Sequence, residues 1–141
     1  MIDENWLQIR DYAGPGFQPL IDFGGWRVAI LNHDEKDNAE ASSRMERHKQ
    51  TDEVFVLIGG AATLLLGGNG RQADAVVPIR MEPRKLYNVR RNAWHSVLLG
   101  RDASILIVEN SDTTEGNSEY AELAVAQTAQ VLAIQQREGL G

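Results

Sequence analysis

Two of the three histidines sit among residues with which an imidazole can do chemistry. His48 stands in the run Glu46-Arg47-His48-Lys49-Gln50-Thr51-Asp52-Glu53, and Gly60 follows Glu53 after six residues. His95 closes the run Arg90-Arg91-Asn92-Ala93-Trp94-His95, directly before an apolar stretch. Either histidine can act as a general base, and the phenol of Tyr87 can join it as acid or base. His48 and Tyr87 are therefore the candidate catalytic residues. Arg90 and Arg91 are candidates to hold a carboxylate or phosphate of a ligand, and Trp94 is a candidate stacking platform. Each of these has a plainer alternative. Tyr87 can be a half-buried strand tyrosine, Trp94 can be core, and the arginines can be solvated or neutralised across a subunit contact. Glu53 can be a solvated carboxylate paired with Arg47. His33, beside Asp34 and Glu35, reads as a solvated loop histidine.

These residues need a scaffold, and the order of the chain supplies one. Trp26–Leu31, Val54–Ile58, Ala61–Leu66, Ala75–Ile79, Leu86–Val89, Trp94–Leu99 and Ala103–Val108 are seven short β-prone runs separated by turn residues such as Gly59-Gly60 and Gly67-Gly68-Asn69-Gly70. Val, Ile and aromatic residues favour strands, and many short strands with regular turns predict an all-β sandwich or barrel. Both histidines lie where a loop or strand start feeds a strand, positions that face the interior or mouth of such folds. The tail differs: residues 124–137 are rich in good helix formers. Ala121, Val125, Ala129 and Leu132 share one face, and Gly139 is placed to end the helix. The expected architecture is a barrel over about residues 20–112, a polar connector over 113–122 and a C-terminal helix over about 123–138, all in one domain.

The two histidine runs resemble the motifs of the cupin superfamily, in particular its small single-domain bacterial members of unassigned function. The first cupin motif reads H-x-H, three or four residues, E, six residues, G. Here it is Glu46-x-His48, four residues, Glu53, six residues, Gly60, with Glu46 in place of the first histidine. The second motif ends P-x-G-x-x-H, and here it reads Arg90-x-Asn92-x-x-His95. The resemblance covers about residues 26–110. It implies a double-stranded β-helix (jelly-roll) barrel, an all-β fold that limits exposed edges, and a homodimer. It also implies a metal site in which His48, Glu53 and His95 occupy three ligand positions and Glu46 the fourth. Such a donor set binds Fe, Mn, Ni or Zn as divalent ions. Two functional readings follow from that resemblance. One is a metal-dependent enzyme acting on an oxygen-rich organic acid or sugar. The other is a metal-free module or sensor that binds a small ligand in the same barrel pocket.

Composition sets the outer limits. The chain has 141 residues, 43% hydrophobic and 24% charged, and no cysteine. That is one globular domain without disulfides, thiolate metal sites or cysteine nucleophiles. The formal net charge is −6, which opposes nucleic-acid binding. No apolar stretch approaches the 18 residues of a membrane span, and Met1–Asn5 lacks the basic-then-apolar pattern of a signal peptide. A cytoplasmic protein with no membrane or nucleic-acid partner is expected. Charge is uneven: residues 80–101 hold six basic residues and one acid, and residues 109–122 hold five acids and no base. Opposite blocks of this kind, with the apolar helix face, also suit a twofold dimer.

Overall fold

A computed structural model describes residues 1–141. Ten strands and two helices follow in the order β1 (Gly16–Phe23), β2 (Trp26–Asn32), α1 (Glu35–Ala41), β3 (Arg44–His48), β4 (Glu53–Gly59), β5 (Ala62–Leu66), β6 (Val77–Arg80), β7 (Tyr87–Val89), β8 (His95–Leu99), β9 (Ser104–Asn110), β10 (Ser118–Glu122) and α2 (Val125–Glu138). The strands form two five-stranded sheets, ordered β1-β2-β9-β4-β7 and β10-β3-β8-β5-β6. All recorded pairings are antiparallel. The expected all-β jelly roll with a C-terminal helix is the fold.

Side-chain alternation sets which residues enter the interior. On β4, Glu53, Phe55 and Leu57 are buried, and on β9 Ile105, Ile107 and Glu109 are. Phe55, Leu57, Ile105 and Ile107 join Leu31 and Leu64 in the apolar core between the sheets. The second sheet does not alternate in this way. Ala62, Thr63, Leu64 and Leu65 of β5 are all buried, because a second core covers its outer face. There Met45, Leu65, Trp94 and Leu98 pack with Val131 and Ile134 of α2. A strand buried on both faces reads as a continuous apolar run, which is what Leu64-Leu65-Leu66 is.

Several elements depart from the sequence expectation. The strands begin at Gly16, and β1, β3, β10 and the short α1 join the seven expected runs. Asp34 caps α1 by accepting from the Lys36 amide at 2.9 Å. The stretch read as a connector holds a 3-10 turn at Glu115–Asn117 and then β10, which pairs with β3. The helix face is corrected. Ala121 lies in β10 opposite Met45, and Val125 and Leu132 are 88% and 50% exposed. The helix starts only at Val125, and its phase is set by the anchors Val131 and Ile134. Gly139 ends it as expected, in the left-handed conformation at φ 69°. The Glu138 carboxylate accepts from the Thr63 hydroxyl at 3.0 Å and from Arg80 at 3.3 Å, which fixes the end of the helix to the second sheet. No helix is long and apolar enough to cross a membrane.

Gly60, the last residue of the first motif, has a backbone role. Its φ is +70°, and a Cβ there would lie 2.6 Å from backbone atoms of Ala103. Both the left-handed torsion and the close approach exclude a side chain. Gly60→Ala is expected to lower stability by about 2 kcal/mol or more. Urea denaturation checks this: the midpoint should fall while the slope stays unchanged.

Candidate functional site

Both histidines face the interior from the second sheet, and Glu53 faces them from the first. On β3, Glu46 and His48 share the inner face while Met45 points outward into the second core. On β8, His95 points inward between Trp94 and Ser96, and Trp94 belongs to the outer core. Glu46 and His95 are direct cross-strand partners. The two imidazole rings are 5.3 Å apart, centroid to centroid. From β4, one oxygen of Glu53 lies 3.2 Å from Nε2 of His48 and 3.0 Å from Nε2 of His95. His48, Glu53 and His95 are 7%, 5% and 3% exposed.

Hydrogen bonds on the far side of each ring set its orientation. The Ser118 hydroxyl donates to the Thr114 carbonyl at 2.7 Å, so it accepts from Nδ1–H of His48 at 2.8 Å. Nδ1–H of His95 donates to the Ala93 carbonyl at 2.9 Å. Both rings thus present Nε2 to the common centre, the arrangement by which outer hydrogen bonds orient metal-binding imidazoles. The turn before His95 contains a left-handed residue. Asn92 stands where the motif has glycine, and it takes φ +67°. Asparagine is among the few residues that adopt this conformation readily. Its amide donates to the His48 carbonyl at 2.7 Å, tying the two motifs together.

Charge in this cluster is tightly coupled. Burial works against the charged form of His95, but the hydrogen bond and charge of Glu53, with Glu46 and the Ala93 carbonyl, push its pKa up to about 9. His48 is raised too, again against burial, by the hydrogen bond and charge of Glu53 and by Glu46. Burial would raise Glu53, yet the two imidazoles hold it well below the usual carboxylate range.

Among the site residues that sequence reasoning missed, Glu109 and Arg27 lie nearest the cluster's charge. Glu109, on β9, is buried, and it lies near Glu53 and His48. Burial and the Glu53 charge raise its pKa to about 7, against the pull of Arg27. Arg27 is its cross-strand partner on β2 and donates to one Glu109 oxygen through Nε at 3.0 Å and Nη2 at 2.6 Å. The signal was present: Ile105-x-Ile107-x-Glu109 extends the inward alternation by one step, and Arg27 precedes the inward Ala29 and Leu31 in the same way.

The other sequence candidates lie elsewhere. The Tyr87 hydroxyl accepts from the Glu82 amide at 2.8 Å, and its ring packs on the inter-sheet core outside the cavity. Trp94 is buried in the outer core, donates to the Gly70 carbonyl at 2.9 Å and lies under Arg47. Arg90 is exposed and pairs with Asp52 at 3.2 Å, while the exposed Arg91 engages the other Asp52 oxygen through its backbone amide. None of the four lines the cavity. His33 is half-buried outside it, with Nε2 lacking a hydrogen-bond partner.

The cavity has a volume of about 520 Å³, within the usual range for small-molecule sites. Its donor set fits a divalent ion. One triad is Glu46, His48 and His95, another is His48, Glu53 and Glu109, and within each the ligand atoms lie within 4.8 Å of one another. Glu46 turns toward this centre: its carboxylate is 3.8 Å from Nε2 of His48, while Arg44 and Arg47 pair with Glu40 and Glu119 instead.

No protein-family model matches the chain, and no curated protein sequence matches it. Solved structures do match in shape. KdgF from Halomonas sp. superposes with a TM-score of 0.51 at 14% identity, over 81% of this chain and 94% of that one. The QdtA 3,4-ketoisomerase from Thermoanaerobacterium thermosaccharolyticum, in complex with TDP, gives 0.53 at 19% identity, over 70% and 68%. Streptomyces Pac13 with uridine, a nucleoside dehydratase, gives 0.52 at 9% identity, over 79% and 83%. Identities this low speak to the fold, and the fold is the cupin-type barrel.

The histidine–carboxylate cluster makes a pH prediction for metal-free protein. A raised histidine pKa contributes stability in full below the unfolded value near 6.5, and that contribution is lost as pH rises through about 9. Imidazole NMR should place the His95 titration near 9 in the wild type, and Glu53→Gln should lower it. The wild type should then lose more stability than the variant between about pH 6.5 and pH 9.

Proposed function

We propose that this protein is a cupin-fold, metal-dependent enzyme acting on an oxygen-rich small molecule. The observation that carries the reading is the convergence of two Nε2 atoms and carboxylates at the buried end of one cavity. His48, Glu53 and His95 would hold the ion, with Glu46 as the fourth ligand in place of the motif's first histidine. A bound divalent ion would polarise a ligand oxygen as a Lewis acid. The chain's own residues set the rest. Ser118 and Ala93 hold the imidazoles in one tautomer, and Phe55 and Ile107 give the cavity an apolar wall. Structural neighbours that hold uridine and TDP support a small-molecule ligand.

One observation favours a second reading, a metal-free binding module. Glu53 already satisfies both Nε2 atoms by hydrogen bonds, so the cluster is complete as an ion-paired network. General acid–base chemistry by Tyr87 on a ligand in the cavity is not supported, since the phenol is engaged at Glu82 outside it.

Elemental analysis of protein purified without a metal-affinity tag should find about one equivalent of Fe, Mn, Ni or Zn per chain. His95→Ala and Glu53→Ala should abolish it. Glu46→His should raise affinity by about tenfold or more, since outer-ligand changes alone shift affinity 10–100-fold. Metal-free wild type that cannot be loaded would favour the binding module.

The homodimer is also a proposal. The helix face with Val125 and Leu132 is exposed on the single chain, as are Trp6 and Ile9 near the N-terminus. Closed twofold assembly would cover such surface. Sedimentation at micromolar concentration should return the mass of two chains, and the mass of one would refute it.

A further inference from the structure

The cavity wall carries an unusual excess of hydrogen-bond acceptors. Six carboxylates line it: Asp37, Glu40, Glu46, Glu53, Glu109 and Glu115. Only two guanidiniums do, Arg27 and Arg44. If a divalent ion takes Glu46 and Glu53, four carboxylates still face two arginines.

Both arginines are already engaged. Arg27 donates twice to Glu109 and once to the Thr113 carbonyl at 3.2 Å, and its guanidinium carbon lies 5.4 Å from the centroid of the Phe17 ring. Arg44 pairs with Glu40 at 3.3 Å and lies 4.6 Å from the centroid of the Tyr120 ring. Away from the histidine cluster, a carboxylate or phosphate entering the cavity would compete with Glu109 and Glu40 for these guanidiniums and would face the remaining acids of the wall.

Ionised carboxylates are acceptors only; Glu109, raised to about 7 by burial and the Glu53 charge, is the one of the six that shares this role with a protonated form near neutral pH. The wall is thus complementary to a molecule rich in donors, one that presents hydroxyl or ammonium hydrogens. The two aromatic rings in the wall, Phe17 of β1 and Tyr120 of β10, are 39% and 40% exposed. Each ring stands on an edge strand beside an arginine, and its remaining apolar surface suits the C–H face of a sugar ring.

We propose that the substrate is a neutral or amine-bearing polyhydroxylated molecule, and that the wall carboxylates reject organic acids and phosphorylated sugars. This rests on the reading of the cavity as the ligand site and narrows its substrate from acid or sugar to sugar or amino sugar. Arg90 and Arg91, the sequence candidates for holding an anion, stand outside the cavity and cannot reverse the preference.

Binding can be measured by calorimetry with matched probes: glucose, glucosamine, glucuronate and glucose 6-phosphate, together with ribose and ribose 5-phosphate. The measurement is made on metal-loaded and on metal-free protein, after elemental analysis of each. Failure to load metal would count against the metal centre alone, because the metal-free cavity keeps the same wall. The expected result is saturable binding by a neutral or amino probe, at least tenfold tighter than by its acidic counterpart. A second arm uses Glu40→Gln with Glu115→Gln, both at exposed positions whose replacement spares the core. In that variant the preference should shift toward the acid by at least fivefold. Tighter binding of glucuronate or a sugar phosphate by the wild type, no binding by any neutral or amino probe, or an unchanged ratio in the variant would each overturn the inference.

Discussion

A single carboxylate oxygen of Glu53 holds both imidazoles, and it does so across the gap between two sheets. Glu53 comes from β4 in the first sheet, His48 and His95 from β3 and β8 in the second. A buried charge is tolerated only where it is fully paired, so the sheets must meet in one register for the cluster to form. Everything around it serves that pairing. Ser118 and the Ala93 carbonyl orient the rings, Asn92 bridges the two motifs, and Gly60 allows the turn after β4 to approach Ala103. The same contact that specifies the fold's register therefore assembles the site.

The layered burial around the cluster explains what was legible in the sequence. Period-two alternation and glycine turns disclosed most strands, and motif spacing disclosed His48, Glu53, His95 and Glu46. The elements that escaped have weak local signals. β3 is the charged run Arg44–His48, which becomes a strand because β10 and β8 flank it. β10 lies in a polar stretch and is strand by virtue of its partner. The helix face was misplaced because several alternative stripes on an alanine-rich helix look alike, and only contact with the second sheet chooses Val131 and Ile134.

Side-chain direction accounts for the site residues that sequence proximity misplaced. Trp94 is adjacent to His95 yet faces the opposite side of β8, as alternation requires. Arg90 and Arg91 precede the strand and stay in the turn, where Asp52 holds them. Glu109 and Arg27 are far from either motif in sequence, but each occupies an inward position one step beyond a run of inward apolar residues. A polar residue that keeps the phase of a buried face is therefore a better guide here than a polar residue that neighbours a motif.

The two sheets also differ in how they meet solvent. The centre of the second sheet, β5 and β8, lies between the inter-sheet core and the helical layer. The first sheet has one face in the core, and its edge strand β1 is largely exposed. Local opening costs least where few buried contacts must be broken. Amide protons of β5 and β8 should be the slowest in the chain to exchange, and those of β1 and β10 among the fastest. The cavity sits on this boundary, with its histidines on the slow sheet and Phe17 and Tyr120 on the fast edges. Entry and exit of a ligand can then proceed by fluctuation of two edge strands, without disturbing the frame that holds the imidazoles.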